Sequence, residues 1–407
     1  MSAASVLYLM VSQHAYAAVE LKDILKGSLV SDPIIMEAKA DEESAKSTTK
    51  ATFAQHYPVL ALTGTQVIAQ KHQYSSNDLD DGLGVRGSVN VYSWGAIQAA
   101  VKRDKFKETY FKHKYYETQE QLGKDIGELY LAVLRAKETL LVHQQSLVRH
   151  NNLMKDLNVI VKYDSGRRSE LIEARSRLLQ VESSIAQQRR TMELALSRLS
   201  RYTGKPLTAN DLTDPFSGDT AASFIQNYRN PDKNTNPSYQ AQLAEQKAAG
   251  AELDMSRKQR LPSVNIEGNA NRTDKQVYFN VVWNVLDIAA RHNVSKNAQV
   301  LAAAEARTEQ ILKDNEEKSR TAEINMVQNE QRANITAQHI EAQKDVVKTY
   351  ELQFRIARRT LTDVLGAYTT LSGIEQDNVT ARNDFRDAAL QYLITQSQVA
   401  NWAGVQQ

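Results

Sequence analysis

The residues of this sequence best placed for chemistry sit in two short runs. Gly166-Arg167-Arg168-Ser169-Glu170 and Ala357-Arg358-Arg359-Thr360-Leu361-Thr362-Asp363 each put an Arg-Arg pair just ahead of a carboxylate. Guanidinium forks pair with carboxylates and carbonyls in two-point geometry, so exposed arginines at 167, 168, 358 and 359 would suit docking onto another protein. The simpler reading is a soluble helix turn, since exposed arginine is common. Glu170 and Asp363 would equally serve as charges at a helix N-terminus. A third run, Gly82-Leu83-Gly84-Val85-Arg86-Gly87, spells the glycine fingerprint of dinucleotide sites. That chemistry needs a strand before the glycines and a helix after them, whereas here a loop-like run precedes and an alternating strand follows. Asp78, Asp80 and Asp81 beside it could attract a divalent ion, although a solvated turn explains them more simply.

Nothing else in the chain assembles a reaction centre. The eight histidines are scattered without metal-binding spacing. There is no G-x-S-x-G run, and the absence of cysteine removes thiol catalysis, thiolate metal sites, disulfides and a lipid-acceptor Cys. The sequence therefore reads as a non-enzyme without cofactor or metal. Its net charge of +2, with Lys/Arg interleaved among Asp/Glu, gives no pull towards nucleic acid.

The elements that hold the arginine runs follow from an internal repeat. Asp32-Pro33 recurs as Asn236-Pro237, Tyr57-Pro58 as Leu261-Pro262 and Gly64 as Gly268, all at an offset of 204 residues. Val89-Asn90-Val91-Tyr92 recurs as Trp283-Asn284-Val285-Leu286 at offset 194, so the first copy carries ten extra residues, assigned to the loop-like run Gln73 to Gly84. Glu170-Leu171-Ile172-Glu173-Ala174 matches Asp363-Val364-Leu365-Gly366-Ala367 at offset 193. Two copies of one plan result, residues 19–204 and 235–404, joined by a connector at 205–234 expected to hold little regular structure. Residues 1–18, with an apolar run from Val6 to Val11 and Ala15-Tyr16-Ala17, read as a signal-peptide remnant and predict export, although no Lys or Arg precedes Lys22.

Within each copy the hydrophobic period changes from two to helical. A leading helix is followed by a β-hairpin at 58–94 or 261–287, whose strands alternate apolar and polar residues. Val277, Phe279, Val281, Trp283 and Val285 fall on one face and Tyr278, Asn280 and Asn284 on the other. Phe279 and Trp283 are the aromatics expected to face lipid, if lipid is what the dry face meets. Proline-free stretches then run from Ala96 to Lys162 and from Ala289 to Ile356, each followed by a second helix, Ser169 to Tyr202 and Thr360 to Trp402. Helices of roughly 90 Å are too long for an ordinary globular core and imply a tube or coiled coil. No run reaches the roughly 18 apolar residues of a membrane-spanning helix, so any crossing would use strands. Closed membrane barrels need about eight strands or more, whereas this chain has four. An open sheet edge in lipid leaves backbone groups unpaired at several kcal/mol each, so closure requires further copies.

Taken in order, the Asn/Asp-Pro starts, the Tyr/Leu-Pro hairpin entries, the strand-to-helix turns at Tyr92-Ser93-Trp94-Gly95 and Leu286-Asp287-Ile288-Ala289, and the tip Ala357 to Ala367 resemble the TolC family of outer-membrane export channels. The resemblance covers residues 19 to 404. It implies a mainly α protein with a small β part, a homotrimer with a twelve-stranded outer-membrane barrel on an α-helical periplasmic tunnel. Its implied partners are a periplasmic adaptor (membrane fusion protein), an inner-membrane ABC-type or other pump, and outer-membrane lipid. By the same resemblance Asp363 would join an acidic ring at the periplasmic entrance, with Glu170 as its first-copy equivalent and Gly366 replacing a frequent second acid. The tips Gly166, Arg167, Arg168, Ala357, Arg358 and Arg359 would contact the adaptor, and their Arg-Arg form is similar to members serving type I secretion of large adhesins. The alternatives are a multidrug efflux channel and a structural coiled-coil scaffold.

Overall fold

The computed structural model describes residues 19–66, 68, 82–272 and 274–405. The leader-like segment, the acidic trio at 78–81 and most of the ten-residue insertion lie outside them. Two compact units form, and neither follows the sequence halves. Of the described residues, one unit gathers those within Pro33–Gln119 and Asn230–Glu317, and the other those up to Asp32, Glu120–Arg229 and those from Lys318 onward.

Helix α1 (Leu21–Ser31) belongs to the second of these units, and α2 (Pro33–Phe53) opens the first. Pro33 stands at the first helical position, where its missing N–H would have had no partner anyway. Pro237 repeats the device at the head of α6 (Pro237–Lys258). Strands β1 (Val59–Thr65), β2 (Gly82–Tyr92), β3 (Ser263–Ala270) and β4 (Lys275–Val282) form one antiparallel sheet in the order β1-β2-β3-β4. Two sequence-distant hairpins are thereby stitched together by β2 and β3, with Val89 opposite Ile266 and Asn90 opposite Asn265. The expected strand through Val285 is shorter: β4 stops at Val282, opposite Ser263. The next residue of β3's approach is Pro262, which has no N–H for the ladder. Trp283 instead donates its indole N–H to the Arg260 carbonyl at 3.2 Å.

The long helices form as the composition dictates. α3 (Ala96–Tyr163) and α7 (Ile288–Arg355) are each 68 residues, and are followed by α4 (Arg168–Thr203) and α8 (Leu361–Thr395). At 1.5 Å per residue the 68-residue helices extend about 100 Å. Gly123 and Gly127, one helical turn apart on α3, permit close packing: an added Cβ would fall 2.5 Å from Val399 and 2.6 Å from Leu390. The last helix was expected to run unbroken to Trp402. It breaks at Gln396–Gln398, with Ser397 at φ 54°, and restarts as α9 (Val399–Trp402). The Glu120 carboxylate receives the Val399 and Ala400 N–H groups at 3.2 and 3.4 Å, anchoring the new helix start from another part of the chain.

The connector is more structured than its composition suggests. Within it lies α5 (Ala221–Tyr228), where Thr220 and Ser223 form a reciprocal cap and Phe224 is fully buried against Phe216 at 5.4 Å. Polar residues and Pro concealed these two aromatic anchors, and Ser223 stands where a capping box would ordinarily show Glu or Gln. The buried Tyr130 hydroxyl donates to the Thr213 carbonyl at 2.8 Å and accepts from its N–H at 3.0 Å, pinning the connector to α3.

Candidate functional site

The first tip begins where α3 ends. Asp164 accepts the Gly166 N–H at 3.1 Å and starts a tight turn over Ser165–Arg167, from which α4 departs. Arg167 grips Glu170 through Nε at 3.1 Å to both oxygens and Nη2 at 2.6 Å to Oε2. Its guanidinium also lies 4.9 Å from the centre of the Phe354 ring on α7. The carboxylate of Glu170 holds the guanidinium above its already high ordinary pKa. Arg168 is exposed, as are Gly166 and Ser169.

The second tip closes α7 with a Schellman motif. Arg358 N–H donates to the Gln353 carbonyl at 2.9 Å and Ala357 N–H to Phe354 at 3.0 Å, while Ala357 adopts the left-handed φ of 57° usually given to glycine. Thr360 then caps α8. Its Oγ1 receives the Asp363 N–H at 3.2 Å, and Asp363 Oδ2 accepts the Thr360 N–H at 3.0 Å and hydroxyl at 2.8 Å. Those hydrogen bonds, foremost the backbone one, with Arg359 at 3.8 Å, hold the Asp363 carboxyl below the usual range. Arg359 stacks 4.2 Å from the centre of Tyr350 and donates to Gln353 at 3.2 Å. Arg358 is exposed. The four arginines therefore divide: Arg167 and Arg359 brace the turns, whereas Arg168 and Arg358 reach outward.

Both tips rest on one apolar core. Leu153 and Leu157 of α3, Ala174 of α4, Val347 and Phe354 of α7 and Val364 of α8 are buried together there. Polar bonds fasten it: the Tyr368 hydroxyl donates to Glu351, Arg355 pairs with Asp156 at 2.9 Å, and Arg149 holds Glu375 with two donors at 3.0 and 2.8 Å. Burial, with Glu351 alongside, raises the Tyr368 phenol far above its ordinary pKa. Tyr350 and Phe354, the rings that hold the bracing arginines, were not singled out in the sequence. Their only signal is aromatic spacing of four residues on a helix.

The sheet offers a second candidate surface. Register places Leu60, Gly87, Gly268 and Val277 in one row, with Leu62, Val85, Val89, Ile266 and Phe279 on the same face. Leu60, Leu62, Val277 and Phe279 are 76%, 87%, 80% and 70% exposed, so this dry face covers no core of the protomer. The opposite face is polar. Asn90 donates to Asn265 at 2.8 Å, and Glu267 accepts from Asn280 at 2.7 Å and Tyr278 at 3.1 Å. Phe279 thus lies on the apolar face and Tyr278 on the polar one; Trp283, 56% exposed, lies just past the strand. The glycine fingerprint falls in β2, with no helix opening on it. Among the described residues no helix is long and apolar enough to cross a membrane, and no cluster of His, Asp and Glu could hold a metal.

The chain thus combines a four-stranded amphipathic sheet with two 68-residue helices, each followed by a tight turn into a second helix. No family model and no curated protein matches the sequence. Among solved structures, the chain is similar to the outer-membrane channel OprN, with a TM-score of 0.80 at 15% identity over 94% of this chain and 90% of that one. The outer membrane protein VceC from Vibrio cholerae gives 0.77 at 15% identity over 93% and 96%. The Neisseria gonorrhoeae MtrE outer membrane channel gives 0.76 at 12% over 93% and 88%. The fold of these outer-membrane proteins is the fold of this chain.

Proposed function

We propose that the protein is one protomer of an outer-membrane channel that conducts substrate passively from an inner-membrane pump and its periplasmic adaptor to the outside. The observation carrying this reading is the sheet: a dry, exposed face, a polar face, and unpaired edges at β1 and β4. Because the four strands alternate in direction, β1 of one copy and β4 of the next run antiparallel, so copies join without breaking the pattern. Three copies would make a twelve-stranded barrel, within the range of membrane barrels. The dry face, with Phe279 and Trp283, meets lipid, and the Asn- and Glu-bearing face lines the pore.

At the tips, Asp363 is the entrance acid and Glu170 its first-copy counterpart. Asp363 commits Oδ2 to Thr360, and Oδ1, 3.8 Å from Arg359 Nη1, is the oxygen that would meet cations on the channel axis. Arg168 and Arg358 offer the adaptor its guanidinium forks, with Gly166 and Ala357 shaping the turns between braced Arg167 and Arg359. Type I protein secretion, of adhesins in particular, is the favoured pathway, on the Arg-Arg form of both tips; drug efflux is the alternative. Capture of full-length protein by candidate adaptors separates the two. Fractionation tests the broader reading: the channel should sediment with outer membranes and require detergent for release, and recovery in the soluble fraction would favour a coiled-coil scaffold.

A further inference from the structure

We propose that the end of the sheet from which the helices depart is a collar that selects anionic phospholipid headgroups. This rests on the sheet being the membrane-embedded part. Strand directions bring four segments to that end: residues 48–58, 92–107, 252–262 and 283–296. They hold ten Lys/Arg against four Asp/Glu, whereas the segments linking β1 to β2 and β3 to β4, residues 66–81 and 271–274, hold two against four. In a chain whose whole net charge is +2, that end of the sheet thus carries six more basic than acidic residues.

The four acids in the collar are already engaged. Asp104, 2% exposed, accepts from Thr52 and Arg103 at 2.6 Å each, and Glu252 takes Arg103 at 2.9 Å. Asp254 pairs with Lys258 at 2.7 Å, and Asp287 accepts the Ala290 N–H at 2.8 Å. Lys102, Lys105, Arg257, Arg260, Arg291 and Lys296 are exposed, and none forms an ion pair among the described residues. Aromatic rings stand at the same level: Tyr57, Tyr92, Trp94 and Trp283 are 60%, 52%, 46% and 56% exposed, with Tyr92 and Trp94 edge-to-face at 5.1 Å. Exposed Trp and Tyr beside a dry strand face settle at the level of lipid headgroups. Cations just beyond such a belt meet phosphate, and their attraction to anionic lipid falls off within a Debye length. Selection should therefore weaken as salt is added.

The test uses the full chain in nanodiscs of zwitterionic phospholipid with or without phosphatidylglycerol, and native mass spectrometry of the lipid retained after extraction. The expected result is enrichment of the anionic lipid by roughly tenfold, abolished by high salt or in a K105Q/R257Q/R260Q/R291Q/K296Q variant that inserts as well as the wild type. Equal retention of both lipids by inserted wild type would overturn the collar and leave the barrel reading standing. Failure to insert into either nanodisc would overturn the barrel reading, and the collar with it. Displacement of the retained lipid by inorganic phosphate would reassign the site to free anion and overturn the lipid proposal.

Discussion

Ala357 shows how a single side chain records the geometry around it. Its left-handed backbone closes α7, and a Cβ there costs about 1 kcal/mol relative to glycine. Ala357→Gly should therefore stabilise the protein by about 0.5–1 kcal/mol, read as a higher urea midpoint, and Ala357→Val should lower it. Asp363 makes a pH statement. Its folded carboxyl is held below the ordinary value, so its stabilising effect is complete above the unfolded pKa and fades as the pH falls through the folded one. Amide exchange in the first turn of α8 should accelerate in that acid window, and Asp363→Asn should remove the dependence. The arginines were legible as a pair in each run but not in their division of labour. What separates Arg359 from Arg358 is the ring of Tyr350, nine residues earlier, a contact that only the closing turn brings about. Reversing the outward pair, Arg168→Glu with Arg358→Glu, should abolish adaptor capture while preserving assembly; reversing Arg167 or Arg359 should instead loosen the tips.

At the scale of elements, the long helices were legible to within a residue or two because nothing interrupts them. The Ala96 start and the Tyr163 end of α3 fall where proline-free composition gives way to Trp-Gly and Ser-Gly. Strand alternation likewise gave the faces of β3 and β4. Three features escaped, each for a tertiary reason: α5 is held by buried aromatics, the break before α9 is anchored by distant Glu120, and β4 ends where Pro262 stops the ladder. The G-x-x-x-G spacing of Gly123 and Gly127 was present but had no visible purpose until Val399 and Leu390 came against it. Ala at both positions should destabilise by about 1–3 kcal/mol through overpacking, despite the better helix propensity, measured by urea unfolding. Arg386, 4% exposed, bridges Glu138 at 2.9 Å and Asp214 at 2.7 Å. Arg386→Ala should cost about 3 kcal/mol, because two carboxylates lose their shared cation, and should free the connector to proteases.

The whole molecule poses a problem that the single chain does not solve. Its sheet has a face too apolar for water and edges too open for lipid, while its helices carry their own cores. The proposed assembly would reconcile these, since an edge strand that meets its neighbour satisfies the backbone groups that lipid cannot. The four-strand count was readable from the alternating runs. The spatial order of the strands was not, because nothing in either hairpin states that β2 pairs with β3 rather than closing elsewhere. The most direct test is single-channel recording of the purified full-length protein in planar bilayers. Pooling the sheets of several copies predicts discrete, stable conductance steps, with cation block weakened by Asp363→Ala; bilayers that stay electrically silent would contradict the account.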